Sequence, residues 1–475
     1  MSEPRPALIK ALGLSDVVAM NIVAVVGLRW IARSARLGAP SVTLWVLACL
    51  AFFLPLALTV AELSNRYPEQ GGMYAWVRRA FGPVHGFVCG WCLWVNNLFY
   101  FPSLLLFAAA NALVMFGDSA AGLAENRVYS VGFVLLVLWA LIGLNIVGLT
   151  QGKRLQNLGS VATWLPAALL IIFGAIAGAA FGSATSFAPE HLWPREDAWN
   201  TIGVWSAMCF AFSGFEITSL VSQEVRDPER TIPRGVVISG IVVTLIYIAG
   251  SASVLVALPA NALAERSGIS DAVELVSQRL RLAGFGALTG GLLAIGSIGG
   301  TSSWIAGAAR VPFAAGVDHV LPAAFARLHP VYRTPHVSLI IQGLAATFIF
   351  LASVFLTISG GQTTIQEAYD ILVNLTILIY FVPYLYLFVA LIRLRQTAPP
   401  VGTGESSFRV PGGTLGVIAV AIVGFLATAI SVGLVFIPPG GTANVLNYEA
   451  NLIGQAVIIL AVGWVLFWRA RRTTV

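Results

Sequence analysis

Apolar residues along this chain come in long blocks separated by short polar stretches. Twelve blocks stand out, at roughly 14–33, 40–63, 86–116, 127–148, 156–182, 199–221, 234–258, 284–310, 337–358, 367–392, 412–437 and 449–468. About 20 mainly apolar residues cross a bilayer as a helix, and in lipid the helix satisfies its own backbone groups. The pattern predicts an all-α polytopic membrane protein with 12 transmembrane helices in one transmembrane domain. The longest inner connections, 64–85, 222–233, 311–336 and 393–411, are too short and too rich in proline and glycine for separate cores. The first block lacks a small-residue cleavage site and leads into further spans, so it reads as a span and not a leader.

Composition agrees. Hydrophobic residues make up 58% of the 475 and charged residues only 10%, against about 25% charged in a soluble domain. The net charge of +6 invites a nucleic-acid reading, but its placement does not. With the N-terminus inside, 19 of the 27 Lys and Arg residues fall on inner connections. This positive-inside bias puts both termini in the cytoplasm of a cell-membrane protein and leaves the lipid bilayer, not nucleic acid, as the partner. Arg29, Arg33 and Arg36 run against the bias, and the last two read as an outer solvated cluster. Cys49, Cys89, Cys92 and Cys209 lie in apolar blocks and read as packing residues.

The connection "NRYPEQGGMYAWVRRAFG" suits an interfacial helix with Tyr74, Trp76 and Phe81 at headgroup level. A second amphipathic connector, "LPANALAERSGISDAVELVSQRLRLAG", precedes the eighth block. In each half a glycine-interrupted span leads to one opened by proline, Pro40 or Pro233, and then to such a connector. Five spans per half is odd, so the halves must insert in opposite senses. This is an inverted-repeat plan, with repeat one over about 14–182, repeat two over about 199–392 and additional helices at about 412–468.

Two spans carry interruptions at matching positions. The first has Gly27 and Arg29 in "AVVGLR"; the sixth has Ser213, Gly214 and Glu216 in "FAFSGFE". Glycine costs a helix interior about 1 kcal/mol relative to alanine, serine competes for local hydrogen bonds, and a glutamate in lipid needs a partner. The sixth helix is expected to unwind near 212–215. Bare backbone at that depth survives only inside protein or beside a wet cavity. Close helix packing is the other reading of Ser213–Gly214. For Glu216 the alternatives are a structural bond between helices and a gating or coupling carboxylate. Arg29 lies about 22 Å up its helix from Leu14. It is either an interfacial arginine that snorkels outward or a cavity residue that meets Glu216 or an anionic ligand. In the third span "WCLWVNNLFYFPS" gathers Trp94, Asn96, Asn97, Tyr100 and Pro102; in the eighth "GSIGGTSSW" includes Thr301. Each suits helix packing or a cavity wall.

No GxxxxGK[ST] loop is present, and the five histidines lie in or beside loops without HExxH spacing. Enzyme chemistry, a metal centre and a cofactor are therefore not expected, nor is ATP-driven pumping by this chain.

The stretches "FAFSGFE" with "QEVRDPERTIPRG", "AELSNRYPEQGGMYAWVRRAFGP" and "ARVPFAAGVDHVLPAAFARLHPVYRTP" resemble the amino acid–polyamine–organocation (APC) superfamily over nearly the whole chain. "VVGLRWIA" and "WVNNLFYFPS" are most similar to its glutamate/γ-aminobutyrate antiporter branch. The resemblance implies a five-plus-five inverted repeat with discontinuous helices 1 and 6, two C-terminal helices and alternating access. It places the ligand at Val23–Gly27, which covers Ala24, Val25 and Val26, and at Phe210–Gly214, which covers Ala211 and Ser213. It also makes Phe210 an aromatic gate and puts Glu216 on a glutamate found in amino acid antiporters. The usual glycine–serine–glycine segment of span one is here Ala24, Val25 and Val26, and Thr163 stands where some proton-coupled members have a lysine.

The expected function is a permease or antiporter for amino acids, with a proton or counter-substrate as coupling partner. Val23 to Gly27, Phe210, Ala211, Ser213, Gly214, Trp94, Asn97 and Thr301 are the expected substrate contacts. Glu216, Arg29 and Tyr100 are the expected gating or coupling residues. A carrier of polyamines or other organic amines would favour more acidic residues than Glu216 alone. A non-transporting amino acid sensor and a channel are the remaining classes.

Overall fold

In the computed structural model, the described residues are 13–67, 72–117, 120, 122–147, 149–194, 198–216, 225–263, 266–282, 284–312, 323–332, 334–356, 364–397, 408–438 and 445–473. Every regular element in them is a helix, as expected where backbone groups have no water to bond. In chain order these are α1 Leu14–Val25, α2 Arg29–Ala35, α3 Pro40–Arg66, α4 Met73–Phe81, α5 Pro83–Val114, α6 Arg127–Val147, α7 Leu149–Phe181, α8 Ala198–Ala211, α9 Pro228–Ala257, α10 Gly268–Arg279, α11 Phe285–Ala308, α12 His336–Phe355, α13 Ile365–Thr397, α14 Gly413–Leu434 and α15 Val445–Thr473.

Ten of these are long and apolar enough to cross a membrane. The first and sixth apolar blocks are not among them: the first is interrupted, and the described helix of the sixth is short. The first block stops at Val25 and restarts at Arg29. The sixth stops at Ala211, with turns over 212–216, and 217–224 lie outside the described residues. Burial orders the bundle. The most apolar stretch of α5 is 83% buried and that of α13 72%, against 33% in α14 and 28% in α15. The third and tenth apolar blocks therefore form the centre, and the last two helices lie at the edge.

Local chemistry shapes three of these elements. Pro55 follows a wide π turn at Cys49–Phe53 in α3. A proline ring cannot donate to, and crowds, the carbonyl four residues back, so the turn widens. The short helix α4 is amphipathic as expected, but Trp76 is not a headgroup anchor. It is 1% exposed and donates to the Tyr67 carbonyl at 3.1 Å. The small residues of α11 serve packing against α7. A Cβ at Gly159 would lie 2.9 Å from the Gly299 Cα, and one at Gly296 would lie 2.8 Å from the Thr163 hydroxyl.

Backbone on both sides of the Gly159–Gly299 contact leaves no flexible atom to yield. Gly159→Val is expected to cost about 1–3 kcal/mol through overpacking, read as a lowered melting temperature in detergent. Gly143→Ala, inside α6 with nothing within 4 Å of an added Cβ, should not lower it.

Candidate functional site

The break in the first span begins at Val26, whose backbone turns extended at φ −65°, ψ 101° while its N–H still bonds the Ile22 carbonyl at 2.8 Å. Gly27 then lets the chain pass under an indole, since a Cβ there would lie 2.6 Å from Trp30 Nε1. The helix resumes at Arg29. The side chains of Val23 and Ala24 lie outside the described residues.

The break in the sixth span begins as the last turn of α8 tightens, with Ser213 N–H donating to the Phe210 carbonyl at 2.8 Å. The Ser213 hydroxyl donates to the same carbonyl at 2.6 Å, the competing local bond expected of serine. Gly214 sits at φ +110°, in the region that favours glycine. Its N–H donates to Glu216 Oε2 at 3.1 Å and to the Tyr384 hydroxyl at 3.2 Å. Tyr384 also donates to Glu216 Oε2, at 2.8 Å, and Tyr380 donates to Oε1. Glu216, 5% exposed, is therefore tied to two phenols of α13, one helical turn apart.

The two breaks share one side chain. The Tyr247 hydroxyl, on α9, lies 2.8 Å from the Val25 carbonyl and 3.0 Å from the Ala211 carbonyl, the ends of α1 and α8. It accepts from Gly27 N–H at 3.2 Å. Its ring stacks on Trp45 at 4.3 Å between centroids, and Trp45 Nε1 donates to Ser251 at 2.8 Å. The groups freed by unwinding are thus partly met by a fixed phenol.

Beside the breaks is a cavity of about 30 Å³, room for about two water molecules. Its walls come from both breaks (Val25, Phe210, Ala211, Ser213, Gly214), from α5 (Asn96, Asn97, Tyr100), and from Trp30, Trp304 and Tyr380. Rings close it. Trp30 meets Phe210 at 5.4 Å, Phe210 meets Tyr380 at 5.6 Å, and Tyr100 meets Trp304 at 5.9 Å between centroids.

Of the expected site residues, the structure brings Val25, Phe210, Ala211, Ser213, Gly214, Asn97 and Tyr100 to this wall. Val26 and Gly27 form the break behind it, and Glu216 sits one hydrogen bond behind Tyr380. Trp94 and Thr301 are not among the lining residues. Trp94 packs on Trp91 at 5.3 Å, and the Thr301 hydroxyl turns back to the Ser297 carbonyl at 2.8 Å. Arg29 does not reach the outer surface; it is 2% exposed. Its Nη1 donates to Ser103 at 3.1 Å, and it forms no ion pair with Glu216. Arg33 is buried too, 3.6 Å from Asp370 and 3.4 Å from Asn374, so the outer cluster expected at Arg33 and Arg36 is not solvated at Arg33. The helix α2 that carries it packs against α8, α9 and α10, and Asp370 and Asn374 of α13 close on the guanidinium.

Sequence reasoning missed Tyr247, Tyr380, Tyr384, Trp30 and Trp304. Tyr380 and Tyr384 had a signal: two phenols four residues apart, hence on one face of an apolar helix. Tyr247 had none, being one tyrosine in an apolar block. Tyr247→Phe keeps the ring stack but strips the hydroxyl from three backbone groups. It should lower thermal stability by about 1–3 kcal/mol for the groups left unsatisfied, and ligand binding should weaken with it. A melting curve together with ligand titration checks this.

Known proteins resemble this chain over most of its length. The profile of the amino acid permease family matches residues 12–466. The chain is 29% identical over 463 residues to an uncharacterized transporter of Legionella pneumophila, covering 96% of each chain. It is 24% identical over 355 residues to a probable agmatine/putrescine antiporter of Lactococcus lactis, covering 75% of this chain and 73% of the relative. It is 25% identical over 409 residues to a glutamate/γ-aminobutyrate antiporter of Lactococcus lactis, covering 84% and 78%.

Proposed function

Because the chain belongs to the amino acid permease family of membrane transporters, we propose that it is a secondary active transporter that moves amino acids across the cytoplasmic membrane by alternating access. The reading takes twelve spans with both termini cytoplasmic. Repeat one covers about 14–182, repeat two about 199–392 in the opposite sense, and two additional helices lie at about 412–468. It makes the chain a carrier and not an enzyme.

One observation carries the reading: the helix break after Val25 and the turns that follow Ala211 border a single cavity and share the Tyr247 hydroxyl. Irregular backbone at half-height is tolerated where it serves a polar ligand. In this account residues 23–27 and 210–214, with Asn97, hold the amino acid, and Phe210 and Tyr100 close over it. Trp94 and Thr301 support the wall from behind. At about 30 Å³ the cavity must widen to admit an amino acid, and its aromatic rings are the groups that move. Glu216 couples occupancy to gating. It binds the Gly214 turn to α13 through Tyr384 and Tyr380, so a change in its charge or position changes the hold between the sixth and tenth spans.

An organic amine is the second reading. Aromatic walls and a nearby carboxylate suit a cation, and one relative is a probable agmatine/putrescine antiporter.

The test is purified protein in liposomes, preloaded with single amino acids and assayed for labelled counterflow. Uptake that needs internal substrate indicates exchange; uptake into empty vesicles under an imposed pH gradient indicates proton coupling. Binding without flux would indicate a sensor and contradict the proposal. Glu216→Gln keeps the size and one acceptor oxygen, replaces the other with an amide donor that the Tyr380 hydroxyl can accept from, and removes the titratable group. It should flatten the pH profile of transport while leaving the melting temperature within a few degrees. A variant with the wild-type pH profile would remove Glu216 from coupling.

A further inference from the structure

Two of the helix ends at the cavity are carboxy-terminal, while the third, the start of α2 at Arg29, is amino-terminal and lies on the Trp30 side. α1 ends at Val25 and α8 at Ala211, so each turns the negative end of its dipole toward the space between them. The Glu216 carboxyl adds to the same bias from behind Tyr380. This part of the site suits an ammonium group and opposes a carboxylate.

Arg29 supplies the opposite sign. It is 2% exposed. Its guanidinium carbon lies 4.3 Å from the Trp30 ring centroid and 4.8 Å from that of Tyr100, and both rings are cavity wall. Nη1 is spent on Ser103 at 3.1 Å. Among the described residues Nη2 is buried without a hydrogen-bond partner and Arg29 forms no ion pair. Its neighbour Arg33 differs, lying 3.6 Å from Asp370. A buried guanidinium without a counter-ion is strongly destabilising. Two aromatic faces offset part of that cost, but they leave a donor edge that matches a carboxylate.

We propose that Arg29 is the carboxylate anchor of the transport cycle. Trp30 and Tyr100 hold the guanidinium between turnovers and yield it to the substrate carboxylate as the site opens. The ammonium group of the substrate stays against the ends of α1 and α8. A carboxylate is then obligatory, and amines that lack one are not carried. The proposal rests on the transport reading, and within it decides for amino acids over organic amines.

The test uses the full-length wild-type protein, Arg29→Lys and Arg29→Gln in liposomes. Each amino acid that shows counterflow is competed against its decarboxylated amine and its amide. Wild type should prefer the acid by at least about tenfold. Losing one charge-assisted hydrogen bond corresponds to about 10–100-fold in affinity, so Arg29→Gln should raise KM for the acid by that factor and abolish the preference. Arg29→Lys should restore part of it. Wild type that carries the amines as readily as the acids overturns the proposal and leaves the transport reading intact. So does a folded Arg29→Gln protein with wild-type preference. No counterflow of any probe defeats the transport reading itself. If Arg29→Gln does not fold, the wild-type competition series decides.

Discussion

A single phenol hydroxyl, that of Tyr247, bridges two places where the described chain gives up helical hydrogen bonding inside an apolar bundle. It lies within 3.0 Å of the last carbonyls of α1 and α8 and accepts from Gly27 N–H. Left bare in lipid, each such group would cost several kcal/mol. The stack on Trp45 and its bond to Ser251 fix the phenol from behind. The breaks therefore stay open without collapsing into helix, and the cavity beside them is a consequence of that restraint.

Around this restraint the charges sort themselves by side. Two helix ends and Glu216 make one flank negative, while Arg29, wrapped by Trp30 and Tyr100, makes the other positive. Between them the wall is mostly aromatic. A zwitterion matches this layout, with dispersion from the rings acting on whatever side chain it carries. The tyrosines of α13 that hold Glu216 join the sixth span to the tenth, so a local change at the glutamate reaches one of the two most buried long helices.

Much of the fold was legible because a bilayer dictates block length and forbids bare backbone. The breaks were legible for the same reason: Gly27 and Ser213–Gly214 are costly residues in an apolar helix unless something uses them. What stayed hidden depends on helix rotation and on partners distant in sequence. Trp94 and Asn97 sit three residues apart on α5, yet only Asn97 reaches the cavity. Trp76 read as a headgroup anchor but packs inward, because the fold covers its connector. Arg33 looked solvated, and its partners Asp370 and Asn374 lie more than 300 residues on. Tyr247 carried no local mark, since its role exists only once two other helices end against it.

The most direct measurement is an experimental density map of the protein with a transported amino acid, at a resolution that separates main-chain carbonyls. The account predicts ligand density between residues 25–27 and 211–214, with both helices interrupted there and the Tyr247 hydroxyl between their ends. First and sixth helices running unbroken through those positions, or a ligand bound away from them, would contradict it.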